Sequence, residues 1–320
     1  IGSIKAGAIA DTTIEASASI SSVSATPGGI ADADITAGAG IGAVQAAYLR
    51  DSYVFAETGI ASIKTGGAGI TDSEIASHGN ITLIQTPGAI TSTVISNKYE
   101  VLDMLAGGSI GTVKAGSLVG SDLEAAYGFG LVKVTGQISQ STIDSEFTDL
   151  SGTVGGAITT LSAGGISAQS EIQAISIGTL SVGLGGIADN DTIIDAHTQI
   201  AKVAVKGDVT RYAEITAGGG ITAVTIGGDL SYGAKVNSDG FLTSMTVNGE
   251  MLWGTAVTVA GNVASMNVKG GITGYSTVVD IGGNCGSFAA GSLSGEDQVD
   301  VGEDSRTCAV LIHGDAGRVS

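Results

Sequence analysis

The sequence is poor in the residues that thick cores and catalytic sites draw on. Aromatics make up 4% of its 320 residues, and there are two Pro, two Cys and three His. Scarce Pro, and glycines in no strict every-third register, exclude a collagen triple helix. Basic residues are also few, 13 against 31 acidic ones, for a net charge of −18. Such a chain is repelled by phosphate backbones and by anionic lipid, so neither nucleic-acid binding nor membrane association is expected. No uninterrupted apolar stretch of about 18 residues is present, so no membrane insertion is expected either. Neither an initiating Met nor a secretory leader stands at the start. The chain opens in mid-pattern at IGSIKAG and closes in mid-pattern at GDAGRVS, as an excerpt of a longer or processed polypeptide would.

What is abundant is Gly, 52 residues, within a 43% hydrophobic composition dominated by Ala, Ile and Val. That apolar fraction excludes disorder. Small and β-branched side chains suit thin, tightly stacked strands.

A short phrase recurs: an aliphatic residue, two spacers, a second aliphatic residue, then a Gly-containing turn. It reads IGSIKAGAI at the start, IASIKTGGAGI at Ile60, IGTVKAGSL at Ile110 and ITAVTIGGDL at Ile221. Its first position falls at Ile1, Ile20, Ile41, Ile60, Ile81, Ile110, Leu131, Ile158, Ile177, Ile200, Ile221, Leu242, Val263, Cys285 and Cys308. The mean interval is about 22 residues, the spacing of stacked repeats. The two long intervals imply loop insertions near 96–108 and 146–157. A further aliphatic position follows each anchor by 13 to 16 residues, as at Ile14, Ile35, Ile75, Leu123, Ile172, Ile193, Ile215, Val236, Val257 and Val278. Three apolar stretches separated by Gly, Asp, Asn or Ser turns make one three-strand rung.

The expected fold is therefore all-β: a single-stranded parallel β-helix, or β-solenoid, continuous over 1–320. At about 4.8 Å per rung its roughly 14 rungs would form a rod of roughly 67 Å. A β-propeller is the rival fold, with blades of about 40 to 45 residues, near twice this unit. Its longer antiparallel strands and heavier aromatic packing fit these stretches less well.

The C-terminal segments AVTIGGDLSYG, SMTVNGEMLWG, SMNVKGGITGY and TVVDIGGNCGSF resemble the Gly-rich β-strand repeats of very large surface and extracellular proteins of bacteria such as planctomycetes. The resemblance covers nearly the whole chain and rests on repeat texture. It implies a long extracellular or cell-surface β-solenoid and carries no catalytic motif.

Within the repeat, one corner holds Asp11, Asp32, Asp51, Asp72, Asp122 and Asp189. Three of these have an acidic residue two positions on, giving the pairs Asp32 with Asp34, Asp72 with Glu74 and Asp189 with Asp191. A cation, calcium by chemistry, would relieve repulsion between stacked carboxylates. Alternatively, Asp simply suits a wet turn. Calcium is the one cofactor considered. Towards the C-terminus the same corner holds Tyr212, Tyr232, Trp253 and Tyr275. These read either as a glycan-binding or subunit-docking strip, or as a stiffening ladder.

Cys285 and Cys308 fall at the same repeat position in adjacent rungs, within disulfide reach if stacked; both could instead be small buried apolar residues. The acidic run GEDQVDVGEDSR, with Glu296, Asp297, Asp300, Glu303 and Asp304, reads as a cation site or a solvated face. His78, His197 and His313 differ in repeat phase, so no metal cluster or nucleophilic triad is expected and no enzyme activity is assigned. The expected role is a structural segment of an extracellular fibre, sheath or layer, its partners other copies or other segments of the same polypeptide. The alternative is a carbohydrate-binding or carbohydrate-degrading β-helix, an adhesin or polysaccharide-active protein that engages glycans through the aromatic corner.

Overall fold

A computed structural model describes residues 1–101, 104–149, 152–294, 309–313 and 315–320. It is a β-solenoid of parallel stacked coils, about 13 turns, with no helix among the described residues. The chain divides into two compact units. One is Ile1–Ala163 with Ile172–Ile175, the other Gly164–Glu171 with Ser176–Ser320.

In the first unit each coil lays three short strand segments on those of the coil before, the second and third running on as one strand in Ile9–Ala16 and Ile30–Ala37. The first strands include Ile20–Ala25, Gly40–Ala46 and Gly59–Thr65, all in parallel register. Their anchors stack as Ile20, Ile41, Ile60, Ile81, Ile110, Phe129 and Ile158. Second strands stack Ile9, Ile30, Leu49, Ile70, Ile90, Leu118 and Ile138, and third strands Ile14, Ile35, Val54, Ile75, Ile95, Leu123 and Ile143. All of these are buried. A single coil could not cover its own aliphatic side chains; its neighbours do. Burying an Ile or Leu side chain contributes about 1.5–3 kcal/mol, so the columns supply the main cohesion.

The first strand is not a simple alternation. Phe129, Val132 and Val134 point inward, while Gly130 has no partner in the register and Leu131 is half-buried. The anchor of that coil is thus Phe129, not Leu131. With this correction the two long coils, Ile81 to Ile110 and Phe129 to Ile158, are equal in length. Each contains an antiparallel hairpin, Lys98–Val101 with Met104–Gly107 and Glu146–Asp149 with Gly152–Gly155. Lys98 Nζ lies 2.7 Å from Asp144 Oδ2 and donates to the Glu146 carbonyl at 2.9 Å, tying the base of one hairpin to the base of the other.

The second unit repeats the scheme. Its anchors stack Ile200, Ile221, Leu242, Val263, Cys285 and Ala316. Its third strands stack Ile194, Ile215, Val236, Val257, Val279 and Val310. The inward residues are therefore Ile194 and Val279 rather than their neighbours Ile193 and Val278. A slip of one residue exchanges the two faces of a strand.

Candidate functional site

The corner between second and third strands is where both units place their distinctive residues, and the backbone there explains the choice. In the first unit it is a single residue of positive φ: Asp11, Asp32, Asp51 and Asp72, at 46° to 49°, then Ser92 at 47°, Gly120 at 57° and Gln140 at 51°. Asp is among the few L-residues that enter this left-handed region readily. Four aspartates thus form an exposed column over four consecutive coils. Asp122 is not in it. Gly120 takes the corner of that coil, and Asp122 pairs in register with Val94 and Thr142 on the third strands.

Asp34 and Glu74 lie on opposite sides of Tyr53 in the register. Burial, then Glu74 and Asp34, raise the Tyr53 phenol above its ordinary range. Among the described residues no group of three or more His, Cys, Asp or Glu comes together to hold a metal ion. In the second unit, Asp189 and Asp191 both take positive φ, 80° and 64°. Asp189 spans neighbouring coils, accepting from the Ala168 N–H at 3.3 Å and from Arg211 Nη1 at 3.1 Å.

The residue after the corner carries a feature that reading the sequence missed. Ser52, Ser73, Thr93, Ser121 and Ser141 are buried in five successive coils. Each hydroxyl donates to the carbonyl two residues back, at 2.7–3.1 Å. Each hydroxyl also accepts the backbone N–H of the preceding coil: Ala33, Ser52, Ser73, Thr93 and Ser121 respectively, at 3.1–3.5 Å. The positive-φ residue breaks the backbone ladder, and this hydroxyl ladder satisfies the N–H groups that the break would otherwise orphan.

In the second unit the corner turns aromatic. Tyr212, Tyr232 and Trp253 are 63%, 50% and 47% exposed and all have positive φ. The adjoining strand registers set Arg211, Tyr232, Trp253 and Gly274 level, and likewise Tyr212, Gly233, Gly254 and Tyr275. Tyr232 and Trp253 meet edge to face, centroids 4.9 Å apart at 64°. Two of the rings lie over glycine: a Cβ on Gly233 would sit 2.4 Å from the Tyr212 ring, and one on Gly274 2.3 Å from the Trp253 indole. A groove of about 540 Å³ runs between Tyr212, Tyr232 and Trp253, with Asn190 and Arg211 at its polar edge. Tyr275 is half-buried and borders a second depression with Trp253 and Ser294. The four aromatics therefore form one strip divided between two adjacent corner positions, Tyr232 and Trp253 at the first and Tyr212 and Tyr275 at the second.

Cys285 is buried, and burial raises its thiol pKa. The residue in register with it in the next coil is Ala316. Cys308 and the acidic run Glu296, Asp297, Asp300, Glu303 and Asp304 lie outside the described residues. Each histidine neighbours a carboxylate: His78 Nδ1 is 3.0 Å from Glu57, His313 Nε2 is 3.0 Å from Asp280, and His197 lowers the pKa of Asp195 against the larger effect of burial. Comparison with protein-family models, curated proteins and solved structures gives no match.

Proposed function

We propose that this chain is a structural β-solenoid segment of an extracellular or cell-surface fibre, sheath or layer. The observation that carries the reading is how the coils are joined. Aliphatic columns, parallel backbone ladders and the hydroxyl ladder all run from coil to coil, so cohesion is built along the stacking direction. That is the property a load-bearing or spacing element needs. Likeness to the Gly-rich repeats of large bacterial surface proteins supports the location outside the cell. Oriented native material should give a reflection near 4.8 Å along the fibre axis, from stacked parallel strands. Native material without that axial spacing would refute the proposal.

The aromatic groove favours a second reading, glycan binding. Flat rings beside Asn190 and Arg211 offer apolar faces and hydrogen-bonding edges to a sugar ring. Dose-dependent binding on a glycan array, abolished by Trp253→Ala, would support it; unchanged binding by that variant would refute it.

A further inference from the structure

The first unit of this acidic chain segregates its charges by side. Lys5, Ser24, Gln45, Lys64, Gln85, Lys114, Lys133 and Ser162 occupy one register position of the first strands. Four of the five lysines in residues 1–163 stand in that single column. All four are exposed, and none forms an ion pair with a described residue. The eight first strands of the unit contain no Asp or Glu at all. Beside Lys114 and Lys133 an open groove of about 410 Å³ is floored by Ala115 and Gly116. The exposed aspartate column stands at the corner between second and third strands, and the first strand is the one side of the coil that does not meet that corner.

From this we infer that the lysine face of one copy docks on the aspartate corner of a second copy. Three observations select a second copy as the occupant. The two columns are opposite in charge. Each recurs once per coil, so both repeat at about 4.8 Å and match coil for coil. With parallel copies offset by three coils, Lys64, Lys114 and Lys133 come level with Asp11, Asp51 and Asp72, and Gln85 with Asp32. Asp51 already touches its neighbour Arg50, NH to carboxylate at 3.3 Å, at the surface, and exchanges that exposed contact readily. Single exposed ion pairs are weak; several in register act as one multivalent contact. Because face and corner are different patches, the contact is heterologous, and repetition extends an open array. The array deepens the fibre-or-layer reading and rests on it only for its biological setting.

The test uses the full chain, with charge variants checked for native circular dichroism. Sedimentation should show concentration-dependent association of the wild type near 0.15 M salt, where the Debye length of about 8 Å screens the net repulsion. Association should weaken again at about 1 M salt, where the ion pairs are screened as well. The Lys64→Glu, Lys114→Glu, Lys133→Glu variant should associate roughly tenfold more weakly or not at all. The Asp11→Lys, Asp51→Lys, Asp72→Lys variant should behave likewise. Asp→Asn at the same corners, which keeps a residue suited to positive φ, gives the loss without backbone strain. Mixing the two reversed variants should restore association as an alternating array, because each chain's face then meets an oppositely charged corner on the other. Carbodiimide cross-linking of the wild type should join Lys114 to Asp51 and Lys133 to Asp72 between copies. A wild type that stays monomeric, or lysine-reversed chains that associate as wild type does, would overturn the inference. So would a monomer that binds polyglutamate through these lysines, which would make the occupant a foreign polyanion. None of these outcomes bears on whether native material shows the axial 4.8 Å spacing.

Discussion

A corner residue at φ near +48° is a selective position. Asp32 tolerates it because a short polar side chain adds little strain in the left-handed region, whereas a β-branched side chain is forced against the backbone. Asp32→Val should therefore lower stability by about 1–2 kcal/mol, while Asp32→Gly should remain near wild type. Denaturant midpoints with equal slopes would check this; an innocuous valine would mean that the corner relaxes freely. A different strain sits at Asp195. Its carboxyl pKa is raised, first by burial and then by Glu214 and Asp239, with His197 acting the other way. A raised folded-state pKa means that the stability linked to protonation is fully present below the unfolded pKa and is lost as pH rises through the folded one. Asp195→Asn should be more stable than wild type at neutral pH and lose this component of the pH dependence. Urea titrations across the acidic range read it directly, and parallel wild-type and variant profiles would contradict it.

At the scale of the element, the hydroxyl ladder shows why part of the structure was legible and part was not. A serine or threonine follows the corner in Asp51-Ser52, Asp72-Ser73 and Ser92-Thr93. Beside a turn, such residues read as wet loop; only the stacked register reveals that they face inward. Thr93→Val keeps the shape but removes the acceptor for the Ser73 N–H, and should cost about 1–3 kcal/mol. Thr93→Ser should cost far less, and equal melting of the two variants would count against the ladder. The aliphatic columns, by contrast, were legible because each repeat restates them. Where the reading slipped, two neighbouring residues satisfied the same phrase. Leu131 with Val134 has the spacing of Phe129 with Val132, and only the second pair has both members inward. Ile193 and Ile194 are both apolar, so composition could not choose the buried one. The aromatic strip was visible as a recurrent phase, but its split into two adjacent positions needed the backbone register.

At the scale of the whole molecule, a formal charge of −18 is compatible with stacked coils because, among the described residues, no Asp or Glu lies in the interior, which is aliphatic. The two units show solvent different faces. One offers a lysine side and an aspartate corner, the other an aromatic strip with a groove. Both are built from the same coil, and each variation sits where the coil tolerates it. The corner accepts whatever residue takes positive φ, and the outer strand positions accept any side chain that water can solvate. Such a design suits an element whose inside is mechanical and whose outside is free to make contacts. The central claim is that this solenoid belongs to a surface structure. Immunogold electron microscopy of producing cells, with antibody raised against residues 1–320, tests it most directly. Gold should line a fibre, sheath or layer outside the cell envelope; gold dispersed through the cytoplasm would contradict the account.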